Sequence, residues 1–424
     1  MVIREYSKVE LVFSSSESEA VKIALVNLRR DLIRTLDCSV TAGGIIRILV
    51  GTVGNLPELD EKADISKLRA EDGTYRKEAF LIQEKDGELL IVGTDRRGTI
   101  YGIYDFCEWL GVSPWYFFAD VPVRRRSEAV IENGYCKVDY PSVEYRGIFI
   151  NDEEELEHWV WRYMGETTIG VKTYEKIFEL LLRLKLNYIW PAMHVNSFNL
   201  KQENGALANR MGIVVGTSHC DMLMRSNNRE WKPWLAKKGY TDVEYDFSIP
   251  GRNREILKEY WRESVEQNRD FEVSYTVGMR GIHDSGFETK SLEGLTGEKL
   301  LKAKIELLES VMAAQQEILS ETLDTEPMKT FVPYKEVLEL YDNGLKVPED
   351  LTLIWTNDNY GYVRRYPGEK EKARKSGNGI YYHNSYWAPP GASYLFICSI
   401  PMSHTRNELL KAYKEGIQKV WVTN

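Results

Sequence analysis

The chain has 424 residues, and its 55 lysines and arginines against 64 aspartates and glutamates give a net charge of −9. Hydrophobic residues make up 43% and charged residues 28% of the chain, which is ordinary globular usage and excludes wholesale disorder and a coiled coil. An acidic chain lacks the basic face that binds nucleic acids and anionic membranes. We therefore expect neither as a partner.

The apolar runs and the cysteines exclude further classes of protein. Runs such as Ile45–Val50 are strand-sized, whereas a membrane span needs about 20 residues. Met1–Glu5 has no apolar segment of a signal peptide, which leaves open a cytoplasmic protein or a secreted or periplasmic one whose signal was removed. The five cysteines are scattered and form no Cys-x-x-Cys pair, so we expect neither a disulfide framework nor a thiolate zinc site, and no metal or cofactor.

Aromatic residues make up 12% of the chain. Tryptophan and tyrosine rings stack on sugar faces and still offer a polar edge. Large cores also use many aromatic residues, so this surplus only favours a carbohydrate ligand.

Residues 1–140 have the pattern of a mixed α/β domain. The predicted elements are a helix from Ser16 to Leu36, strands over Ile45–Val50, Phe80–Gln83 and Glu88–Gly93, and a helix over Arg97–Leu110. Ser16 and Glu19 have the spacing of a capping box, Asp86-Gly87 is typical of a hairpin turn, and Gly111 is placed to end the second helix. No catalytic spacing occurs in this part.

From residue 141 the pattern changes to strand, loop and helix, repeated. The eight predicted strands are Val143–Ile150, Asn187–Met193, Ile213–Thr217, Phe271–Met279, Met328–Val332, Leu351–Trp355, Gly379–Tyr382 and Lys419–Val422. Clear helical patterns between them are Tyr174–Leu186, Arg254–Asn268, Glu298–Leu319 and Asn407–Gly416. The predicted fold class is therefore α/β, with the N-terminal mixed α/β domain followed by a (β/α)8 TIM-type barrel over residues 141–424. Because the chain ends just after the eighth strand, we expect a fragment.

Barrel enzymes build their sites from the loops at the carboxyl ends of the strands. Four of the six histidines fall in these few loops, namely His194, His219, His283 and His383. This clustering favours a functional rim over scatter.

Seven short blocks in the barrel resemble glycoside hydrolase family 115. They are Tyr145–Glu153, Asn187–Met193, Gly216–His219, Thr276–Gly281, Pro333–Val337, Asp358–Asn359 and Gly379–His383. The family is known for xylan α-1,2-glucuronidases, which remove (4-O-methyl)glucuronic acid branches from this hemicellulose with inversion. The resemblance implies a glycosidase that acts on glucuronoxylan or its oligosaccharides. It also implies C-terminal domains absent from this chain, and we expect a homodimer only for the full-length protein.

A carboxylate pair carries the predicted chemistry. Inverting glycosidases use one carboxylic acid and one carboxylate about 6.5–9.5 Å apart, which leaves room for a water. Asp284 and Glu336 follow the fourth and fifth predicted strands, which are neighbours in a barrel. We predict that Glu336 is the acid and Asp284 the base. The structural alternatives are a glutamate at a helix start, favoured by the helix dipole, and a loop-turn aspartate.

Three further residues follow the first two strands. In the family the Asn-Asp-Glu block faces the sugar, so the resemblance implies that Asn151 and Asp152 bind hydroxyl groups. A solvated loop is the alternative for both. Trp190 is predicted to stack on a sugar ring, with a buried tryptophan at the top of the barrel as an equal alternative.

Four residues on later loops complete the predicted site. His219 and His383 are candidates to bind hydroxyl groups or the uronic carboxylate, against a structural role for each ring. Arg280 is the candidate clamp for that carboxylate, since a guanidinium binds it through two parallel hydrogen bonds. An ion pair with a neighbouring acid is the alternative. Asn359 offers an amide donor and acceptor, for substrate or for structure.

Two other functions remain open at this point. A metal-dependent barrel hydrolase would use as ligands His194, His219, His283, His383 and Asp358. Against it, no His-x-His motif follows the first strand. A non-catalytic protein that binds acidic sugars is suggested by departures from the family pattern, such as Cys220 where a histidine is common and Asn357 where an aspartate is usual.

Overall fold

The computed structural model describes residues 1–151, 153–384 and 400–424. This part of the chain divides into two compact units. The first comprises Met1–Ser142, Glu175–Asn187 and Arg210–Gly212, and the second comprises Val143–Tyr174, Tyr188–Asn209 and Ile213–Asn424. Because the first unit also takes two later segments, the predicted division at residue 140 stays a proposal.

The first unit is built on a six-stranded mixed sheet. The strands of this unit, including the separate pair β1 and β7, are β1 (Val2–Arg4), β2 (Lys8–Val12), β3 (Ser39–Val40), β4 (Ile46–Thr52), β5 (Phe80–Lys85), β6 (Glu88–Gly93), β7 (Glu128–Val130) and β8 (Cys136–Asp139). The helices of its Met1–Ser142 segment are α1 (Glu19–Leu36), α2 (Pro57–Lys62) and α3 (Arg96–Leu110). The sheet order is β3-β2-β4-β6-β5-β8, with β5 antiparallel to both its neighbours, and β1 pairs with β7 separately.

The sequence predicts the helices, strand and hairpin of this unit correctly, but not the helix cap. Gly111 ends α3 in the left-handed conformation, with φ of 113°, as its lack of a Cβ allows. The predicted cap at Ser16 is wrong. The Ser16 hydroxyl instead bonds to that of Ser14 at 2.7 Å, and the hydroxyl of Ser18 accepts the backbone N–H of Val21 at 3.3 Å.

The second unit is the predicted (β/α)8 barrel. Its strands are β9 (Tyr145–Phe149), β10 (Tyr188–Trp190), β11 (Val214–Val215), β12 (Ser274–Thr276), β13 (Met328–Phe331), β14 (Leu351–Thr356), β15 (Asn378–Tyr382) and β16 (Val420–Thr423). They are parallel in the order β11-β10-β9-β16-β15-β14-β13-β12. A parallel bridge between Val215 and Val273 joins the two ends of this sheet, so all eight strand predictions and the barrel are confirmed.

Helices follow most of these strands. They are α4 (Glu153–Trp159), α5 (Val171–Arg183), α6 (Gln202–Met211), α7 (Asn227–Lys238), α8 (Arg252–Asn268), α9 (Gly297–Thr322), α10 (Glu336–Asp342), α11 (Glu369–Lys372) and α12 (Met402–Lys414). Within the described ranges, no helix has the length and apolar character that crossing a membrane requires.

Aromatic side chains fill the barrel. Phe149, Tyr188, Trp190 and Tyr381 belong to one buried cluster together with aliphatic residues of the other strands. Gly147 allows β9 to approach β10, because a Cβ at this position would lie 1.8 Å from the carbonyl oxygen of Tyr188. The packed strands hold their carboxyl ends in fixed positions, and the loops that follow start from there.

Candidate active site

A pocket of about 420 Å³ lies among the loops that follow the barrel strands, which is the end where barrel enzymes bind their substrates. Five of the nine predicted site residues line it, namely Asn151, His219, Asp284, Asn359 and His383. Trp190, Arg280 and Glu336 are not among its described lining residues. Asp152 lies outside the described residues, so its predicted role stays a prediction.

Asp284 is the most heavily contacted carboxylate at the pocket. It accepts a hydrogen bond from Lys335 Nζ at 2.7 Å and lies 3.1 Å from His219 Nε2. The thiol of Cys220 is 3.4 Å away, and Nη1 of Arg280 forms an ion pair with the same carboxylate. Two cations therefore stabilise the ionised form of Asp284 in the free protein.

Arg280 connects Asp284 to Glu336. The guanidinium donates to both oxygens of Glu336, from Nε at 2.9 Å and from Nη2 at 3.0 Å, and its side chain is only 4% exposed. The structure thus favours the ion-pair alternative for Arg280 over the predicted clamp on a substrate carboxylate, because its donors already face two protein carboxylates.

The same contacts bear on the predicted roles of the pair. Burial opposes ionisation of Glu336, but the hydrogen bonds and charge of Arg280 outweigh it and lower the pKa of this carboxyl below its usual value. A general acid must hold a proton at the working pH. The lowered pKa of Glu336 therefore opposes the predicted acid role and suits a base.

The replacement Arg280→Gln tests this link. We expect the pKa of Glu336 to rise when the guanidinium is lost, so that a base at this position ionises only at higher pH. The acidic limb of the profile of kcat/KM against pH should then move up by about one unit or more. Arg262→Gln breaks a surface ion pair with Glu321 and should leave the profile unchanged. If the acidic limb does not move in Arg280→Gln, ionisation of Glu336 is not what produces this limb.

The buried histidines supply hydrogen-bonding atoms rather than charge. Burial, with the charges of Arg280 and Lys335, lowers the pKa of His219 far below its usual value. Burial, with smaller contributions from His219 and Lys335, lowers the pKa of His383 to about 3. Burial, followed by His283, lowers the pKa of His194 to about 4. These three rings are neutral at pH 7, so among the described lining residues Lys335 supplies the positive charge that a ligand meets.

The rings of His383 and His219 contact named neighbours. His383 Nδ1 lies 2.9 Å from Asn357 Oδ1, which therefore accepts its proton. His219 packs edge-on against Tyr334, with ring centroids 4.8 Å apart, and its Nδ1 has no hydrogen-bond partner among the described residues. The contact with Asn357 supports a structural role for His383, although the residue also lines the pocket.

Trp190 lies in the barrel core. Its side chain is fully buried, its Nε1 donates to the hydroxyl of Tyr188 at 3.0 Å, and it packs against Phe149 and Tyr381. The structure thus favours the buried alternative over stacking on a sugar. Tyr334 and Tyr381 line the pocket instead, and sequence reasoning misses them because tyrosines are abundant in the chain.

Three residues at the pocket have a left-handed backbone conformation. His283, Asp284 and Lys335 have φ of 56°, 60° and 52°, a left-handed region that residues other than glycine rarely adopt. Such strain persists only where the surrounding structure imposes it, and it is frequent at functional sites. These three residues all line the pocket, which supports a functional role for this part of the rim.

The structure does not favour the metal-dependent alternative. Among the described residues, one group with suitable donors lies here, formed by His219, Cys220 and Asp284 with ligand atoms within 4.8 Å of one another. Arg280 and Lys335 already pair with that carboxylate, and burial raises the pKa of the Cys220 thiol to about 12. A thiol that stays protonated beside two cations is a poor ligand for a metal ion. Asp358, another of the predicted ligands, accepts the backbone N–H groups of Tyr360 and Tyr362 in its own loop.

Asp284 and Glu336 follow neighbouring strands of a (β/α)8 barrel, and a carboxylate pair so placed fits the chemistry of a barrel glycoside hydrolase. The family model described as glycosyl hydrolase family 115 matches residues 138–424. The chain belongs to this family, as the sequence blocks predicted. A comparison with curated proteins gave no match.

A solved structure of a family 115 enzyme agrees with this assignment. A family GH115 4-O-methyl-α-glucuronidase, BtGH115A, with specificity for decorated arabinogalactans, is 35% identical, with a TM-score of 0.88. The match covers 100% of this chain and 55% of that one, so the chain spans about half of that protein. Two more distant structures share the fold alone. One is an inactive mutant of the GH20 exo-β-N-acetylglucosaminidase from Vibrio harveyi, with 13% identity and a TM-score of 0.55 over 100% of this chain and 66% of that one. The other is a GH138 enzyme that targets pectin rhamnogalacturonan II, with 12% identity and a TM-score of 0.52 over 98% of this chain and 58% of that one.

Proposed function

We propose that the protein is an α-glucuronidase that hydrolyses (4-O-methyl)glucuronic acid branches from a polysaccharide. The observation that carries this proposal is the pair of carboxylates, Asp284 and Glu336, which Arg280 bridges in a family 115 barrel, with Asp284 lining the pocket. The activity described for BtGH115A supports the same sugar. Because this chain spans about half of that protein, its activity and its substrate stay proposals.

The proposed reaction proceeds by inversion, with the two carboxylates in roles opposite to those the sequence suggested. Glu336, held ionised by Arg280, takes a proton from water, whose oxygen attacks the anomeric carbon. The glycosidic C–O bond breaks as the leaving oxygen receives a proton from Asp284. The lowered pKa of Glu336 supports this assignment.

Asp284 must be protonated to act as the acid. In the free protein Lys335 and Arg280 favour its anion, but a uronate beside it adds a like charge, which raises the pKa of a carboxyl. Lys335 is 44% exposed, so its ammonium can turn from Asp284 to the carboxylate of the sugar. Substrate binding thus favours protonation of Asp284.

The remaining pocket residues bind the neutral parts of the sugar. Asn151 and Asn359 offer amide donors and acceptors, and His194 and His219 offer neutral ring nitrogens. Which polysaccharide carries the branch is the finer part of the proposal. The sequence resemblance favours an α-1,2 linkage to xylan, whereas the specificity described for BtGH115A makes decorated arabinogalactan the second candidate.

Incubation with both polysaccharides tests the function. The protein should release free uronic acid from glucuronoxylan. Release from arabinogalactan alone would favour the second candidate. Proton NMR early in the reaction should show the β anomer first, because inversion changes the configuration of an α-linked sugar. Binding without release would support the non-catalytic alternative, and the α anomer first would exclude inversion.

A further inference from the structure

Glu153 lies at the pocket wall at the start of α4, directly after the strand β9 and its loop, and its side chain is fully buried. Its two carboxylate oxygens accept four consecutive backbone N–H groups. These belong to Met193, His194, Val195 and Asn196, with distances between 2.6 and 2.8 Å. The side-chain amide of Asn196 adds a longer bond of 3.3 Å.

The segment 193–196 has no regular secondary structure, and its amides bond to Glu153 rather than to a strand. Consecutive N–H groups that converge on one point form a concave anion site, and hydrogen bonds to an ionised acceptor are about twice as strong as neutral ones. Burial raises the pKa of Glu153 above its usual value, although the four backbone donors act in the opposite direction. The conformation of this loop is therefore set by the Glu153 carboxylate.

This loop forms part of the pocket wall. His194 and Val195 line the pocket, and so does Glu154, which follows Glu153 in α4. The carbonyl oxygen of His194 accepts the side-chain amide of Asn228 at 3.1 Å, and its Nε2 faces the buried carboxylate of Asp221 at 3.9 Å. The backbone of His194 is thus held on both sides, which fixes the point from which its side chain extends.

We propose that Glu153 is a positioning residue, which holds residues 193–196 by its carboxylate and thereby places His194 against the sugar. The inference rests on the proposed function, because it assigns His194 a contact with the uronic sugar in the pocket. Glu153 itself is not proposed as a proton donor or acceptor in the reaction, because its side chain is fully buried.

A double-mutant cycle tests the proposal. In Glu153→Gln an amide nitrogen faces backbone donors, so the loop moves, and kcat/KM for release of uronic acid should fall by about a hundredfold, the scale of an ångström-sized misplacement. If Glu153 acts through His194, adding His194→Ala should cost little beyond the larger single loss. Losses that multiply, or a Glu153→Gln protein with normal kcat/KM, would overturn the proposal.

Glu166→Gln is the matched control. The carboxylate of Glu166 accepts the backbone N–H groups of Lys172 and Thr173, each at 3.0 Å, but it is only half-buried and does not belong to the described pocket lining. The same change there should leave kcat/KM within about twofold, in line with the small effects of substitutions away from a site.

A measurement on the unaltered protein covers the case in which Glu153→Gln does not fold. The amides of residues 193–196 should exchange with deuterium as slowly as those of the barrel strands, because they are bonded to a buried acceptor. Exchange at the rate of an open loop would overturn the proposal. Slow exchange in a protein that releases no uronic acid from either polysaccharide would instead count against the proposed function while leaving the loop anchor standing.

Discussion

Replacing Glu336 with glutamine should lower kcat for release of uronic acid by at least about a hundredfold, the usual contribution of a general base. The amide keeps the size of the side chain and one acceptor for Arg280, but it cannot take a proton from water. The loss should be equal on polysaccharide and on an aryl glucuronide, because activation of water is needed whatever group leaves. Initial rates on both substrates give the comparison.

Glu339→Gln is the matched control, since Glu339 lies in the first turn of the same helix, α10, and is exposed. It should retain the parental rate. A Glu336→Gln protein that keeps a near-parental kcat on both substrates would remove Glu336 from the chemistry. It would leave the residue only the structural role of pairing with Arg280.

The barrel is predictable because its strands are short apolar runs separated by helical periods. Those patterns depend on local sequence and on burial, so the order of elements from β9 to β16 follows from them. The cap of α1 is less predictable, since Ser16 and Ser18 are both residue types that cap helices well. In the structure Ser18 is the cap, and the Ser16 hydroxyl bonds to that of Ser14. The division into domains is not a matter of sequence order alone, because later segments join the first unit.

The site is predictable in its location but less so in its contacts. Loops after parallel strands meet at one end of a barrel, so Asn151, Asp284 and Asn359 reach one pocket. Whether Arg280 faces a ligand or a protein carboxylate depends on side-chain directions that no sequence pattern encodes. Glu153 is missed for the same reason, since an acid in an acidic run gives no sign that four amides surround it.

Asp284→Asn should also lower kcat on polysaccharide by at least about a hundredfold, but with a different dependence on the leaving group. A sugar hydroxyl is a poor leaving group and needs the proton of an acid, whereas a nitrophenolate leaves without one. If Asp284 is the acid, the variant should lose much less activity on a nitrophenyl glucuronide. Asp270→Asn is the control, an exposed aspartate before β12 rather than after it.

The two variants together decide the roles of the pair. Equal losses of Asp284→Asn on both substrates, with Glu336→Gln spared on the aryl glucuronide, would restore the assignment that the sequence alone suggested. Charge also distinguishes the two residues. Loss of the Asp284 carboxylate removes the 2.7 Å partner of Lys335, so Asp284→Asn should bind free glucuronate at least as tightly as the parent protein does. Weaker binding of glucuronate by this variant in calorimetry would mean that Asp284 contacts the sugar hydroxyls, and that Lys335 does not turn towards the uronate.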